Sequence, residues 1–291
     1  MKLSVSIVNY NDGELITGLL DSVYSSEADF DYEVIVTDNG STDGSAEMIE
    51  SKYPEAKLIR NGENLGFARA QNAGIGASIG EYILLLNPDA TIERRAMKRL
   101  VSFMDSHEEA GAAGGKILNP DGSIQLSGKK FPTPLTALFL TLGIHKLFPN
   151  NPVTKGYYMS EESYDQAQEV DHVMGSFLIA RRAAISTAGL MDENFFLYCD
   201  DVDWCMRIKQ EGYKIFYTPD AVMTHKKGGT TSRDSRRCII EHHRSLWYFY
   251  RKWYYKKYPR LISMLYFTGL QIRKWVYLAI NAVSTEKKVI Y

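Results

Sequence analysis

Acidic residues stand at two places in this 291-residue chain where their neighbours favour chemistry over simple solvation. The apolar run YILLL is followed at once by Asn-Pro-Asp, so that Asp89 comes directly after a predicted buried strand. Much later, Asp200, Asp201 and Asp203 stand where a loop enters a predicted helix. A carboxylate can hold a divalent cation or accept a proton from a hydroxyl. The two groups therefore predict metal binding at the first position and general-base catalysis at the second.

The second group of acids also has a simple structural explanation as a helix cap, because negative charge is favourable at a helix N-terminus. Three carboxylates in four residues nevertheless exceed what a cap needs, and their repulsion requires a cation or an arginine. Asp203 and Arg207 have the i,i+4 spacing of an ion pair, so Asp203 is predicted to be structural. Asp201 precedes the apolar Val202 and is predicted to act as a base in a cleft.

Polar turns follow four predicted strands: Asn9-Tyr10-Asn11, Asp38-Asn39-Gly40-Ser41, Asn64-Leu65-Gly66-Phe67 and Asn87-Pro88-Asp89. Ligands of open α/β sheets bind outside the carboxyl ends of the strands. For any one turn, capping of the next helix is the simpler explanation. Four such turns on one rim favour a nucleotide site, with carboxylates and amides for the base and the ribose.

The motifs that usually hold phosphates do not occur in the sequence. The first turn, VNYNDGE, lacks GxGxxG, and no GxxxxGK[ST] is present. A diphosphate would therefore need another source of positive charge, and Mg²⁺ or Mn²⁺ held by Asp89 could supply it. His225 closes AVMTH and is a candidate second donor, although a lone histidine at a strand end is more often simply packed.

Hydrophobic periodicity places these residues on alternating strands and helices. It predicts strands at 3–8, 33–37, 57–60, 81–86 and near 110–118, and helices at 14–24, 45–52, 67–78 and 93–106. This alternation indicates βαβ units and a parallel sheet. Residues 132–170 are predicted to be an irregular insertion or flap, followed by a strand at 172–180, a helix at 201–211 and a strand at 214–218.

Charge is distributed unevenly, although the net charge is only -1. The chain from Lys226 onwards has 15 Lys/Arg and 3 Asp/Glu, whereas the preceding residues have 19 and 32. The basic part mixes Trp and Tyr with Arg and Lys, which suits stacking on single-stranded nucleic acid or a bilayer interface. Because the apolar run 261–272 is too short to span a bilayer, we expect a helix on the cytoplasmic leaflet and no nucleic acid partner. Packing of that helix on the protein's own core is the alternative.

Other features of the sequence indicate a cytoplasmic location. The three cysteines form no CxxC pair, which fits a reducing compartment. The N-terminal residues MKLSVSIVNYN contain no long apolar segment and predict no signal peptide.

The segments VSIVNYN, VTDNGSTDGS, ENLGFARAQNAG, LLLNPDAT and GLMDENFFLYCDDVDWCMRIKQEGYKIFYTPDAVMTH together resemble family 2 glycosyltransferases. More narrowly, they are similar to the bacterial rhamnosyltransferases that build cell-surface polysaccharide. The resemblance covers about residues 3–232 and implies the α/β GT-A fold, a mostly parallel mixed sheet flanked by helices. It divides the chain into a glycosyltransferase domain at 1–232, with a nucleotide-binding half at 1–118 and a catalytic half at 119–232, and a helical tail at 233–291.

The resemblance also implies roles for individual residues. Asp38 would read the pyrimidine base, and Asp89 is the last acid of the DxD metal motif, whose first acid is replaced by Asn87. Asp201 is the catalytic base, preceded by Asp200 in place of the usual Glu, and His225 matches a metal ligand of some members. With the strand-end residues, the expected donor-binding set is Asn9, Tyr10, Asn11, Asp38, Asn64, Gly66, Phe67, Arg69, Asn72, Asn87 and Asp89.

The implied reaction is an inverting displacement at the anomeric carbon of a nucleotide-diphospho-sugar. The expected donor is dTDP-rhamnose or a UDP-sugar, and the acceptor is a saccharide or polyprenol-linked hydroxyl at the membrane. Two alternatives remain open. A sugar nucleotidyltransferase usually carries a Gly-rich basic loop after the first strand, which IVNYNDGELI lacks. A non-catalytic assembly partner is compatible with Asn87, but the retained Asp89, Asp201 and His225 argue against it.

Overall fold

The computed structural model describes residues 1–158, 164–226 and 235–283. The strands of these residues are β1 (Leu3–Asn9), β2 (Tyr32–Asp38), β3 (Lys57–Arg60), β4 (Tyr82–Leu86), β5 (Ala90–Ile92), β6 (Ala110–Leu118), β7 (Ile124–Gln125), β8 (Gln168–Val170), β9 (Phe177–Arg181) and β10 (Lys214–His225). The helices are α1 (Gly13–Tyr24), α2 (Ser45–Lys52), α3 (Phe67–Ala77), α4 (Ala96–Ser106), α5 (Pro134–Thr141), α6 (Ile144–Leu147), α7 (Arg182–Ala188), α8 (Asp200–Gln210), α9 (Ser235–Trp253) and α10 (Arg260–Val283).

One mixed sheet has the order β3-β2-β1-β4-β9-β6-β10-β5, with β7 added to β6 and β8 to β10. β1 is parallel to both β2 and β4, and its register places Asn9 opposite Asp38. Side chains of β4 alternate between two cores, with Leu84 and Leu86 in one and Ile83 and Leu85 in the other. Burial on both faces explains why the YILLL run is continuously apolar.

The second half of the sheet contains the antiparallel pairs. β9 runs antiparallel to both β4 and β6, and Phe177 at its start pairs with Leu86 at the end of β4. β10 is parallel to β6 and pairs its last residue, His225, with Ala90 of β5. The start of β9 and the end of β10 therefore lie at the same sheet edge as the carboxyl end of β4.

Several predicted boundaries beyond residue 86 were wrong. The strand expected at 172–180 is β9, which begins only at Phe177, and β8 lies in the stretch predicted as an irregular insertion. Residues 90–92 form β5 ahead of the helix that begins at Ala96. β10 continues past the predicted end at 218, because the strand resumes pairing after a register shift between Tyr217 and Val222. The stretch predicted as an irregular insertion contains helices α5 and α6. Its residues 159–163 and the proposed domain boundary at 232/233 lie outside the described residues.

The C-terminal helices pack on the sheet domain and on each other. Tyr250 of α9 forms a buried cluster with Tyr266 and Leu270 of α10. Ser245 Oγ of α9 donates a hydrogen bond of 2.7 Å to Leu197 O, in the loop before α8. The tail therefore packs on the protein through α9 and the inner side of α10, while α10 also has an exposed apolar side. Across residues 1–158, 164–226 and 235–283, no helix combines the length and apolarity that are needed to cross a bilayer.

Candidate active site

The carboxyl ends of β1 and β2 hold Asp38 in a fixed orientation. Asn9 Nδ2 donates to Asp38 Oδ1 at 2.9 Å and lies 2.8 Å from Ser45 Oγ. The second carboxylate oxygen, Oδ2, accepts from Ser41 N at 3.1 Å. Asn9 and Asp38 are both buried, so this network is shielded from competing water. The carboxylate that the sequence assigns to base recognition is thus oriented before any ligand binds.

The first two turns are also joined to each other. Asn11 adopts the left-handed conformation, with φ of 57°, and its Oδ1 accepts from Thr42 N at 2.7 Å. Asn11 N donates to Ser41 Oγ at 2.9 Å. Tyr10, between Asn9 and Asn11, is half-buried. These contacts bring the predicted residues Asn9, Tyr10, Asn11 and Asp38 together on one polar rim.

The third turn continues this rim and supports the loop before α8. Asn64 Oδ1 accepts from Asn39 Nδ2 and from Gly66 N, both at 3.0 Å. Gly66 has φ of 89°, and a Cβ there would lie 2.7 Å from Phe196 O. Phe67 N donates to that same carbonyl at 2.7 Å. Only glycine allows so close an approach between the two segments.

Arg69 and Asn72 also contact the segment that leads to α8. Arg69 Nε donates to Glu193 Oε2 at 2.9 Å. Asn72 Nδ2 donates to Met191 O at 2.9 Å, and Asn72 Oδ1 accepts from Met191 N at 3.0 Å. These two residues hold residues 191–193 in place, and donor binding by them stays a prediction.

Asp89 forms a buried chain with His225 and Gln125. Asp89 Oδ1 lies 3.0 Å from His225 Nε2, and His225 Nδ1 lies 3.2 Å from Gln125 Oε1. Gln125 Nε2 donates to the backbone carbonyl of His225 at 2.7 Å, which fixes the orientation of the amide. Because Oε1 can only accept, His225 Nδ1 carries a proton. Sequence reasoning missed Gln125, which lies 100 residues before His225 in a turn-rich stretch.

This arrangement suits a cation between Asp89 and His225. With the proton on Nδ1, a neutral imidazole directs its Nε2 lone pair at a carboxylate oxygen, which is unfavourable without a proton or a metal between them. Asn87 Oδ1, two residues before Asp89, is buried without a hydrogen-bond partner in the described structure. In the part of the chain that is described, no three His, Cys, Asp or Glu residues converge on one point. A cation here would take few protein ligands, as Mg²⁺ does when substrate phosphates and water complete its shell.

Asp201 lies next to the same sheet edge. Its Oδ2 accepts from Gly175 N at 3.0 Å, and its Oδ1 accepts from Val202 N at 2.8 Å. Ser176, the residue after Gly175, accepts a 3.3 Å hydrogen bond through its carbonyl from Asn87 N. One dipeptide therefore links Asp201 to the turn that carries Asp89. Asp89 and Asp201 are thus connected indirectly, through Asn87 and the Gly175–Ser176 dipeptide, where β4 ends and β9 begins.

Asp200 differs from Asp201 in its surroundings. Its Oδ1 accepts from Asp201 N at 3.1 Å, whereas its Oδ2 is buried without a partner in the described residues. Burial raises the pKa of Asp200 to about 8, and the neighbouring charge of Asp201 adds to the increase. Asp200 therefore keeps its proton at neutral pH. Tyr198 and Cys199, just before it, adopt left-handed conformations with φ of 68° and 64°, a strain that is common next to functional sites.

Asp203 is structural, as its spacing from Arg207 predicts. It is fully buried, and its Oδ2 accepts from Arg207 Nε at 2.9 Å. Its Oδ1 accepts from Trp253 Nε1 at 2.8 Å and lies 2.7 Å from Lys252 Nζ. Asp203 thus joins α8 to the end of α9, and both of its carboxylate oxygens are engaged in these contacts.

A surface cavity of about 710 Å³ lies elsewhere, against α4, where Arg95, Lys98 and Arg99 line it. None of the predicted site residues lines this cavity. The candidate site is therefore identified by its converging polar groups rather than by the volume of a depression.

Comparison with known proteins gives a consistent result. The sequence profile described as "Glycosyl transferase family 2" matches residues 4–185. An N-acetylglucosaminyl-diphospho-decaprenol L-rhamnosyltransferase of Mycobacterium tuberculosis is 31% identical over 263 residues, 85% of this chain and 83% of that protein. The rhamnosyltransferase WbbL of Escherichia coli is 26% identical over 225 residues, 74% of this chain and 80% of that protein.

Solved structures show the same fold at low sequence identity. Staphylococcus aureus TarS 1–349 superposes with a TM-score of 0.54 at 18% identity, covering 99% of this chain and 76% of that one. The mannosyltransferase PcManGT from Pyrobaculum calidifontis, in complex with GDP-Man and Mn²⁺, gives a TM-score of 0.58 at 18% identity, covering 98% and 76%. The expected GT-A fold, a mixed sheet flanked by helices with a C-terminal helical segment, is confirmed.

Proposed function

The chain belongs to glycosyl transferase family 2, and we propose that it moves a sugar with inversion from a nucleotide-diphospho-sugar to an acceptor hydroxyl. The proposal depends chiefly on one observation, the hydrogen-bonded connection of the turn that carries Asp89 to Asp201 through Gly175 and Ser176. Residues 1–118 would bind the donor, residues 119–232 would supply the base and the acceptor site, and residues 233–291 would contact the membrane.

Asp201 is the proposed general base. Its carboxylate takes the proton of the acceptor hydroxyl while the hydroxyl oxygen bonds to the anomeric carbon. The bond from that carbon to the nucleoside diphosphate breaks on the opposite face, which inverts the configuration. The N–H groups of Gly175 and Val202 hold the carboxylate in place. Proton transfer of this kind contributes about 10²- to 10⁴-fold to the rate.

The rim of Asn9, Asn11 and Asp38 is proposed to bind the base and ribose of the donor. Two structures of the same fold hold nucleotide sugars, namely UDP-GlcNAc in TarS and GDP-Man in PcManGT. The names of two relatives specify rhamnose as the transferred sugar. We therefore propose dTDP-rhamnose as the donor, with UDP-sugars as the alternative.

Asp89 and His225, with Asn87 beside them, are the residues that would hold Mg²⁺ or Mn²⁺. The buried Asp89–His225 contact and the unpartnered Asn87 Oδ1 fit such an ion. When bound, a divalent cation supplies positive charge to the leaving diphosphate. Gln125 orients His225 toward Asp89 through its hydrogen bond to Nδ1.

A polyprenol-linked acceptor at the membrane surface fits the outer face of α10. Leu261, Met264 and Leu265 are 66%, 65% and 63% exposed, so they do not pack on the protein itself. A cluster of exposed apolar side chains is typical of a surface that binds a partner or a membrane. Lys257 and Arg260, immediately before them, are exposed and can meet anionic lipid headgroups. The M. tuberculosis relative is named for a diphospho-decaprenol acceptor. We propose that this face lies on the cytoplasmic leaflet.

The experiment that tests the proposal supplies the full chain with Mn²⁺, a panel of nucleotide sugars and short lipid-linked saccharide acceptors. We expect one donor to give a glycoside whose anomeric configuration, read by NMR, is opposite to that of the donor. A product with retained configuration would contradict the mechanism. Release of nucleoside diphosphate from none of the donors would contradict the function itself.

A further inference from the structure

Arg273 lies on the inner stripe of α10, although its sequence neighbourhood suggests a solvated basic face. Ser263, Tyr266 and Leu270 are the buried residues of this helix, and the same helical spacing continues to Arg273 and Tyr277. The guanidinium is half-buried and stacks over the Tyr277 ring, with 4.5 Å between its Cζ and the ring centroid. The side chain is therefore turned towards α9 rather than towards bulk water.

The partner of Arg273 on α9 is an uncharged histidine. Arg273 Nη1 lies 3.3 Å from His243 Nε2, and His243 Nδ1 lies 2.7 Å from Ile239 O. Because a carbonyl oxygen only accepts, Nδ1 carries the proton and Nε2 accepts from Arg273. Burial lowers the pKa of His243 to about 4, so the ring stays neutral. This contact orients the guanidinium, but the neutral His243 ring does not compensate its charge.

Arg273 forms no ion pair with a carboxylate among the described residues, and its Nε is buried there without a hydrogen-bond partner. A partly buried charge without a counter-ion is costly. Guanidinium groups pair through two parallel hydrogen bonds with phosphate, which is the group that such a fork fits best. The half-buried guanidinium therefore marks a place whose charge suits an anion.

This place adjoins the loop that carries the candidate base. The ring of His242 lies 4.9 Å from that of Tyr198, three residues before Asp201. The His242 ring also lies 5.6 Å from that of His243, the residue that accepts a hydrogen bond from Arg273. A ligand that presents a hydroxyl to Asp201 would therefore extend towards Arg273.

We propose that Arg273 binds the phosphate of an acceptor in which a phosphate joins the sugar to a lipid chain. The sugar hydroxyl would lie at Asp201, the phosphate at Arg273, and the lipid along the apolar outer face of α10, where Trp275 is 66% exposed. The proposal rests on the glycosyl transfer and the lipid-linked acceptor proposed above, and it adds the residue that would bind the phosphate of that acceptor.

The test measures binding of geranyl diphosphate to the full chain by calorimetry, with Mn²⁺ and nucleoside diphosphate in excess to occupy the donor site. We expect Arg273→Gln to weaken binding at least tenfold, since glutamine can still donate to His243 but carries no charge. The matched control is Arg94→Gln, an exposed arginine between β5 and α4 and outside the basic tail, which should change Kd less than twofold. Arg273→Lys should fall between wild type and Arg273→Gln, because it keeps the charge without the fork.

Thermal unfolding of each variant establishes that it is folded before its Kd is compared. Equal Kd values for wild type and Arg273→Gln, or no binding by the wild type, would overturn the assignment. Inorganic pyrophosphate should bind more weakly than geranyl diphosphate. Equal affinities would show that Arg273 binds free anions and would contradict the lipid-linked acceptor. Tight, Arg273-dependent binding together with no nucleotide-sugar turnover would instead contradict the proposed function and leave this site standing.

Discussion

Gln125 shows how far the candidate site depends on contacts that the sequence does not reveal. Asp89 and His225 were identified from their positions after apolar runs, but the amide that fixes the protonated nitrogen of His225 comes from β7, a strand of two residues. So short an element has no periodicity from which it could be predicted. The strand-end positions of the acids were thus predictable, whereas the residues that contact them were not, and the roles of the acids stay predictions.

If His225 is a metal ligand, loss of its orienting partner should weaken metal binding. We expect Gln125→Leu to reduce Mn²⁺ affinity by about 10- to 100-fold, the usual effect of removing such support. Asp89→Ala should weaken both metal and donor binding further, because a ligand itself is lost. Calorimetry with Mn²⁺ and nucleoside diphosphate measures both variants, with Gln210→Leu on the exposed end of α8 as the control. Unchanged Mn²⁺ affinity in Asp89→Ala would exclude the assigned metal site.

Asp200 predicts a specific dependence of stability on pH. Its pKa is about 8 in the folded chain, against about 4 in an unfolded one. Between these values the folded state binds one more proton than the unfolded state, so this group lowers stability as pH rises and costs nothing below about pH 4. Asn imitates the neutral acid at every pH. Asp200→Asn should therefore stabilise the chain, with a gain that grows by about 1.4 kcal/mol per pH unit between pH 5 and 7.

Denaturant unfolding at several pH values measures this gain. Asp220→Asn, at an exposed position of β10, serves as the control for a general effect of losing one carboxylate. A stability difference that is the same at pH 5 and pH 7 would show that Asp200 ionises normally.

At the scale of elements, α8 is held in place from two directions. The loop before it contacts α3 through Phe67 and Asn72, and its first turn is tied to α9 through Asp203. The i,i+4 spacing revealed the contact of Asp203 with Arg207, but Trp253 lies 50 residues further along and could not be inferred. The position of the candidate base therefore depends on the tail as well as on the sheet.

Removal of the Asp203 carboxylate should uncouple α8 from α9. Asp203→Ala leaves Arg207, Lys252 and Trp253 without their buried partner, which typically costs about 3–5 kcal/mol. Glu47→Ala removes one acid from the exposed pair with Arg60 and should cost less than about 1 kcal/mol. Urea unfolding, monitored by tryptophan fluorescence, compares the free energies of unfolding of the two variants. Similar small losses of stability would mean that Asp203 does not hold α8 against α9.

The sequence predicted elements well up to β4, where strands and helices alternate regularly, and less well beyond it. Helix α2 and strand β3 begin and end at the predicted residues, because apolar periodicity is undisturbed up to β4. β10 was predicted too short because Pro219 interrupts the pattern, and the strand accommodates it by an irregular register with β6. Pairing of β9 against β4 is a long-range contact that no local pattern encodes.

At the scale of the whole molecule, an acidic body is joined to a basic tail whose helix α10 carries an apolar outer face. If that face lies on a bilayer, Leu265→Asp should weaken binding to anionic liposomes by roughly tenfold or more, since burying one leucine is worth about 1.5–3 kcal/mol. Ile79→Asp is the matched control, because Ile79 is 68% exposed against 63% for Leu265 but lies between α3 and β4. Flotation of both variants measures the effect, and equal losses would argue against a specific membrane face.

The assignment of the base is the central claim, and two neighbouring residues provide its most direct test. Sugar transfer is measured at neutral pH for wild type, Asp201→Asn and Asp200→Asn, each at saturating donor. Asp201→Asn should lower kcat by at least about 10²-fold with donor binding intact, since it removes the proton acceptor. Asp200→Asn should remain within a few-fold of wild type, because Asp200 already carries its proton. Near wild-type turnover by Asp201→Asn would contradict the account.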